Sequence, residues 1–317
     1  MDNVVSSPAK PFVFSLLMQR FVWLRVVAFL ILLVAMDLLF GNILRKAYFS
    51  QKYGVLSRIT YAIEGTHAEG LIMGSSRASH HFVTDSLTSI NKMPFYNSGK
   101  DGQSIFYHYA ILKCVLERYT PKVIVLDLLS DELYQKTESY DRLSELLPYC
   151  RDHAGLDFVT SLRGPFEQFK MKSQIYPFNS LLISIASGNS SLSKNRFVEH
   201  NGYLPLFGEF KGDLDSPEPE KIMKIDPNKL AVYHSFIKEC QSHNIKLYIT
   251  ISPYLKLLPE NSSTKMIKEI AEKNKIPFYN YSNDEHFVQH SNFFWDQGHL
   301  NNEGAILFTQ LIAKDII

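Results

Sequence analysis

The sequence predicts an α/β fold, a three-layer α/β/α sandwich with a central parallel sheet, joined to an N-terminal transmembrane helix. Three observations carry this. Short apolar runs, β-branched or aromatic and bounded by turn residues, recur through residues 68–317. Amphipathic helical patterns alternate with them, as expected for a parallel sheet covered on both faces. One apolar stretch near the N-terminus is long enough to cross a bilayer.

That stretch comes first. Residues 1–20 read as an N-terminal tail, 21–43 as the transmembrane helix and 44–67 as a connector. Val26 to Met36 is uninterruptedly apolar, and Leu38, Leu39 and Phe40 continue it past Asp37. Twenty helical residues rise roughly 30 Å, the thickness of a bilayer core. Arg25 and Asp37 stand near its ends, where charged side chains reach the headgroups. No small-x-small site follows Phe40, where Gly41-Asn42-Ile43-Leu44-Arg45 comes next, so a retained anchor is expected over a cleaved signal peptide. Lys10, Arg20 and Arg25 on one side balance Arg45, Lys46, Lys52 and Arg58 on the other, so charge does not orient the helix.

The remaining residues, 68–317, read as one elaborated α/β domain. Strands are expected at Leu71 to Met73, Phe95 to Tyr96, Val123 to Leu126, Leu247 to Ile251 and Pro277 to Tyr279. Ser104 to Arg118 carries Ile105, Tyr109, Leu112, Val115 and Leu116 at helical spacing, and Pro227 to His243 carries Leu230, Tyr233, Ile237 and Cys240. Between residues 134 and 225 the alternation fails. A structureless loop of that length is improbable, so this insertion should hold helices of its own and form a lid or substrate platform beside the site. Gly212 to Glu220 reads as an exposed tether back to the core. A final helix is capped by Asn301 or Asn302 and shows one apolar face, Leu307, Phe308, Leu311 and Ile312.

Composition narrows the function classes. The chain of 317 residues is 45% hydrophobic and 13% aromatic, ample for a packed core, and its formal charge of +1 gives no reason to propose nucleic acid as a partner. Cys114, Cys150 and Cys240 form no CxxC pair, so buried free thiols are expected rather than a zinc knuckle or redox motif. His80 and His81 are adjacent, point apart on a helix or strand and lack a carboxylate cluster, so no metal is expected.

Two segments carry chemistry. Leu71-Ile72-Met73-Gly74-Ser75-Ser76-Arg77 sets serines on a glycine turn after an apolar run, and Trp295-Asp296-Gln297-Gly298-His299-Leu300-Asn301 sets an aspartate three residues before a histidine. A serine hydroxyl becomes nucleophilic when an imidazole takes its proton, and a carboxylate fixes the tautomer of that imidazole. In open parallel sheets reactive groups collect beyond the carboxyl ends of strands, where these two distant segments can converge.

At these residues the chain resembles the SGNH/GDSL hydrolase superfamily, whose first block is a Gly-Asp-Ser-Leu turn and whose last is Asp-x-x-His. The resemblance implies a flavodoxin-like sandwich, Ser76 as nucleophile, His299 as base and Asp296 as its orienting acid. It further implies an oxyanion hole built from the Ser76 and Gly99 amides, with Asn97-Ser98-Gly99 as the second block and Gly102 and Gln103 close behind. The third block departs from the family. Where a Gly-x-Asn-Asp turn is usual, this chain has Asp127-Leu128-Leu129-Ser130-Asp131-Glu132. The Ser130 hydroxyl is the candidate substitute, and Asp131 a candidate organiser of the loop.

Four residues are expected at a substrate. Arg77 presents a planar fork suited to a carboxylate or phosphate, with a structural ion pair to Asp101 or Asp131 as the alternative. Asn97, Tyr254 and Trp295 lie on expected active-face loops. An anchor, a Gly-Ser-Ser turn and an altered third block are similar to the anchored branch of the superfamily, which includes proteins of teichoic-acid D-alanylation and exopolysaccharide O-acetylation. That likeness implies an extracytoplasmic, single-pass membrane esterase or O-acyltransferase that needs no cofactor. Its substrate would be an acylated envelope glycan or polymer, and a membrane acyltransferase a possible partner. The competing expectations are a catalytically weak scaffold subunit of an envelope-modification complex and a cytosol-facing lipid or thioester hydrolase.

Overall fold

The computed structural model describes residues 12–190, 201–214 and 223–316. Helix α1 (Phe12–Phe49) is followed by α2 (Val55–Thr60), which runs into a π-helical turn ending at Gly65. The α/β domain then proceeds through β1 (Gly70–Gly74), α3 (Ser76–His81), α4 (Thr84–Asn91), β2 (Phe95–Asn97), α5 (Ile105–Leu116) and β3 (Val123–Asp127). The segment after β3 holds the short helices α6 (Thr137–Asp141), α7 (Asp157–Arg163), α8 (Glu167–Lys170) and α9 (Leu182–Gly188), with 3-10 turns between them. It closes with α10 (Pro227–Ser242), β4 (Lys246–Ile251), α11 (Ser262–Lys273), β5 (Phe278–Asn280) and α12 (Asn302–Ile312).

All five strands are parallel, in the order β2-β1-β3-β4-β5, so the expected α/β class and parallel sheet are present. Successive strand side chains point to opposite faces, and the core divides accordingly. Leu71, Met73, Ile124, Leu126, Leu247 and Ile249 pack with α5, α10 and α11 on one face. Ile72, Val123, Val125 and Tyr248 pack with α3, α4 and α12 on the other. With both faces covered, β1 and β3 are buried at every position, which is why they read as continuous apolar runs.

Two boundaries differ from expectation. Helix α1 is already formed at Phe12 and continues to Phe49, so it overruns the expected limits of 21 and 43 at both ends. The reason at its far end is tertiary. Gly41 lets the helix approach Gln174 closely, since a Cβ there would stand 2.2 Å from the Gln174 Cβ. Arg45 also pairs with Asp152 at 2.7 Å.

The insertion does hold helices, but most of them pack on the face shared by α1, α2 and α5, away from the Gly74 turn. An antiparallel bridge between Tyr134 and Ile225 closes its base. Two of its stretches return toward Ser76: the α6 region, and residues 201–210, where the Leu204 amide donates to the Ser79 carbonyl at 3.0 Å. Much of the tether expected at residues 212–220 lies outside the described residues.

Candidate active site

The site is built where β1 ends. Gly74 has φ +157°, and a Cβ there would meet the Asp127 carbonyl oxygen at 2.4 Å, so only glycine fits this turn against β3. Ser75 and Ser76 then take different roles. Ser75 is the N-cap of α3, its hydroxyl accepting the Arg77 amide, and it is buried. Ser76 opens the helix and is half-exposed.

The opposing wall is the turn before α12. Phe294 and Leu300 form an antiparallel bridge, and the Trp295 amide donates to the His299 carbonyl at 2.9 Å. Inside this turn Asp296 Oδ1 accepts the Gly298 and His299 amides at 2.7 and 2.8 Å. Both carboxylate oxygens stand 2.9 Å from His299 Nδ1, and His299 Nε2 lies 2.7 Å from Ser76 Oγ. An ionised carboxylate can only accept, so Nδ1 carries the proton and Nε2 accepts from the Ser76 hydroxyl. Partial burial pushes the Asp296 carboxyl up, but the bonds from His299 and the Gly298 amide outweigh it and hold the group below the usual carboxylate range. The arrangement can therefore deprotonate Ser76 as it attacks a carbonyl.

Helix α3 also holds the two walls together. The Arg77 guanidinium donates to the carbonyls of Gly298, Ser252 and Pro253 and stacks on the Tyr254 ring, 3.5 Å from its centroid. His81 Nε2 accepts the Leu300 amide at 3.0 Å, its Nδ1–H donates to Ser252 Oγ at 3.0 Å, and Ser252 Oγ–H donates to Asp127 Oδ2 at 2.9 Å. Burial, followed by the nearby Arg77 charge, keeps His81 neutral, as this pattern of one acceptor and one donor nitrogen requires. Burial likewise raises Asp127 to about 6 despite Arg77 and the bonds from Ser252 and Thr250.

Several sequence expectations are corrected by these contacts. Arg77 is 3% exposed and committed to backbone carbonyls, so it positions the site and is not free for a substrate anion; nor does it pair with Asp101 or Asp131. Tyr254 is the other half of that stack, and its hydroxyl accepts the Ser130 amide at 3.4 Å. Asn97 is fully buried and ties α3 to the β2 loop, donating to the Ala78 and Phe82 carbonyls. Its Oδ1 accepts the Gly99 amide at 2.9 Å, which removes Gly99 from the expected oxyanion hole. Glycine is needed at 99 for another reason, because a Cβ would stand 2.6 Å from the Ser79 amide nitrogen. Ser130 borders a separate hollow beside Thr264 and Lys268, and its carbonyl accepts the Thr264 hydroxyl at 2.9 Å. Asp131 instead binds Lys136 at 2.7 Å. Trp295 is exposed on the turn next to Asp296.

A cavity of about 310 Å³ opens beside Ser76, with Gly102, Gln103, Leu129, Glu132 and Arg142 among its walls. Gln103 is 3% exposed, and among the described residues its Nε2 has no hydrogen-bond partner. The loop carrying it is pinned to the nucleophile turn, the Lys100 amide donating to the Gly74 carbonyl at 3.0 Å and the Gln103 amide to the Lys100 carbonyl at 3.2 Å. An orphaned buried donor in the wall of a reactive cavity calls for an explanation. Sequence reading placed Gln103 only near the second block; its position one residue after Gly102, with φ +70°, was the available signal.

His80 and His81 share α3 but are not equivalent. His80 Nδ1–H donates to the Leu204 carbonyl at 2.7 Å, and its ring lies edge-on to His299 with centroids 5.6 Å apart. Among the described residues no group of three or more His, Cys, Asp or Glu side chains could hold a metal, and Cys114, Cys150 and Cys240 are free thiols. A larger hollow of about 520 Å³, bounded by Lys52, Arg58, Tyr61 and Glu64, lies beside α2 and includes neither Ser76 nor His299.

No protein-family model and no curated protein matches the sequence. Among solved structures, the chain is similar to a putative acylhydrolase from Bacteroides fragilis, at 12% identity and TM-score 0.38 over 78% of this chain and 85% of that one. It is similar to an acetyl xylan esterase at 12% identity and TM-score 0.39, over 78% of this chain and all 100% of the other. A GDSL-like lipase from Bacteroides thetaiotaomicron follows at 13% identity and TM-score 0.35, covering 78% and 88%. Likeness at this level decides nothing about activity.

Proposed function

We propose that the protein is a membrane-anchored serine esterase or O-acyltransferase of SGNH type, acting through an acyl-Ser76 intermediate on an acylated envelope glycan or polymer. One observation carries the reading: Ser76 Oγ, His299 Nε2, His299 Nδ1 and Asp296 form a single line of hydrogen bonds at 2.7 and 2.9 Å. Ser76 Oγ attacks the acyl carbonyl carbon while His299 Nε2 takes its proton. The tetrahedral oxyanion collapses, and His299 returns the proton to the departing alcohol oxygen. Water or a sugar hydroxyl, deprotonated by the same nitrogen, then attacks the acyl-serine and releases Ser76.

The oxyanion is assigned to the Ser76 amide, which as the first residue of α3 has no intrahelical acceptor, and to Gln103 Nε2 in place of Gly99 and Ser130. Helix α1, long and apolar enough to cross a bilayer, supports the anchor. Hydrolysis of an activated acetyl ester by the full chain in detergent tests the reading. Wild type should turn over with Ser75→Ala close behind, while Ser76→Ala and His299→Ala lose about 10⁴-fold or more of kcat. Equal rates for all four would remove the assignment, and an inert wild type that copurifies with a membrane protein would favour the scaffold reading.

A further inference from the structure

Helix α1 does not leave the folded domain where its apolar run ends. Asp37 Oδ1 accepts from the Ser173 hydroxyl at 2.5 Å and the Ile175 amide at 3.2 Å, and Oδ2 accepts the Gln174 amide at 2.7 Å. From Asp37 onward the helix is a structural member of the domain, with Gly41 against Gln174 and Tyr48 in the core. A carboxylate holding a non-helical loop does not belong in hydrocarbon. With Leu38, Leu39, Phe40 and Ile43 still exposed on the other side of the helix, the bilayer surface falls close to the level of Asp37.

The insertion presents large exposed apolar side chains on both sides, in sequence, of the loop that Asp37 holds. Phe166 is 72% exposed, Phe169 70%, Leu182 47% and Ile183 86%. Phe166 and Phe169 belong to the α8 turn that leads straight into the loop held by Asp37. Helix α9 packs on α1 and α2, its C-cap Asn189 reaches the Ala47 carbonyl, and Leu182 and Ile183 stand exposed at its other end. Lys170 and Lys172 stand among them, exposed. Single exposed apolar residues are ordinary, but a cluster flanking an apolar helix and carrying basic residues suits a membrane interface.

We propose that Phe166, Phe169, Leu182 and Ile183 form a second, monotopic membrane contact, their side chains entering the acyl boundary and Lys170 and Lys172 meeting anionic lipid headgroups. The contact rests on the reading that α1 lies in the bilayer. It would fix the domain against the membrane at two places, so the Ser76 cavity is held at a set height above the surface rather than swinging on a flexible stalk.

The test uses the full chain reconstituted in vesicles of phosphatidylcholine and phosphatidylglycerol carrying brominated acyl chains. In a Trp295→Phe background the native Trp23 reports on α1. In Trp23→Phe, Trp295→Phe proteins, Phe169→Trp, Ile183→Trp and, as an exposed control, Leu257→Trp report one site each. Quenching and a blue shift at positions 169 and 183, with neither at 257, is the expected result. Quenching at 169 and 183 no greater than at 257, with Trp23 quenched, overturns the docking surface and leaves the anchor standing. Unquenched Trp23 overturns both. Protection of positions 169 and 183 from aqueous acrylamide without lipid quenching would mean that protein covers the patch, and also overturns the proposal.

Discussion

At the scale of single residues, the two adjacent serines and Gln103 separate structural from chemical roles. Ser75 ends as a buried cap and Ser76 as the residue facing His299, although they differ by one position. Gln103 makes the sharper prediction. If its amide donates to the oxyanion, Gln103→Leu lowers kcat by about 10²–10³-fold with KM little changed, because the bond strengthens only as charge develops. Unchanged kcat for this variant, with its melting temperature preserved, would return Gln103 to an ordinary buried side chain. The triad pattern was legible because Gly-Ser-Ser and Asp-x-x-His are local in sequence. Gly99 was misread because the acceptor that consumes its amide, Asn97 Oδ1, is a side chain whose rotamer only the fold determines.

At the scale of elements, the decisive unit is α3, which clamps the turn after β4 and the turn before α12 through Arg77 and His81. Arg77 reaches carbonyls 175 and 221 residues away, contacts no sequence pattern reveals, and this is why it read as a substrate ligand. Arg77→Lys keeps the charge but not the fork, so one ammonium cannot bridge both loops. Its kcat should fall about 10-fold or more, the cost of a misplaced base, and its melting temperature should fall with it. Wild-type values for both would show that the clamp is dispensable.

Asp127 adds a pH signature to the same clamp. Its folded value of about 6 lies above the ordinary 3.8, so the neutral form favours the folded state. That stability is fully present below about pH 3.8 and is lost as pH rises through about 6, to a limit of about 3 kcal/mol. Relative to Asp127→Asn, wild-type melting temperature should therefore decline between pH 4 and pH 7. Parallel curves would mean that Asp127 stays charged at both ends. The strands and α12 were readable because burial on both faces and the Asn301 cap leave local signatures, the cap accepting the Gly304 amide at 3.0 Å. The reach of α1 was not, since its continuation past Gly41 depends on partners more than a hundred positions away, such as Asp152.

At the scale of the whole molecule, a parallel sheet brings two distant segments of the chain to one cavity, and on the proposed reading the long helix α1 ties that cavity to a membrane. The sheet supplies rigidity, since β1 and β3 are buried throughout, the turn after β1 leads to Ser76, and β3 ends on Asp127. The insertion, expected as a lid or substrate platform, packs largely on α1, α2 and α5; among its described residues the α6 region lines the cavity, while residues 201–210 return to α3 through the Leu204 amide. The proposed function requires one chemical event, formation of an ester at Ser76. The most direct measurement is peptide mass mapping of the full-length protein quenched within seconds of mixing with an activated acetyl ester. A mass increase of one acetyl group on the Ser76 peptide is predicted in wild type and absent in Ser76→Ala and His299→Ala. Acetyl on no serine, or equal labelling in His299→Ala, would contradict it.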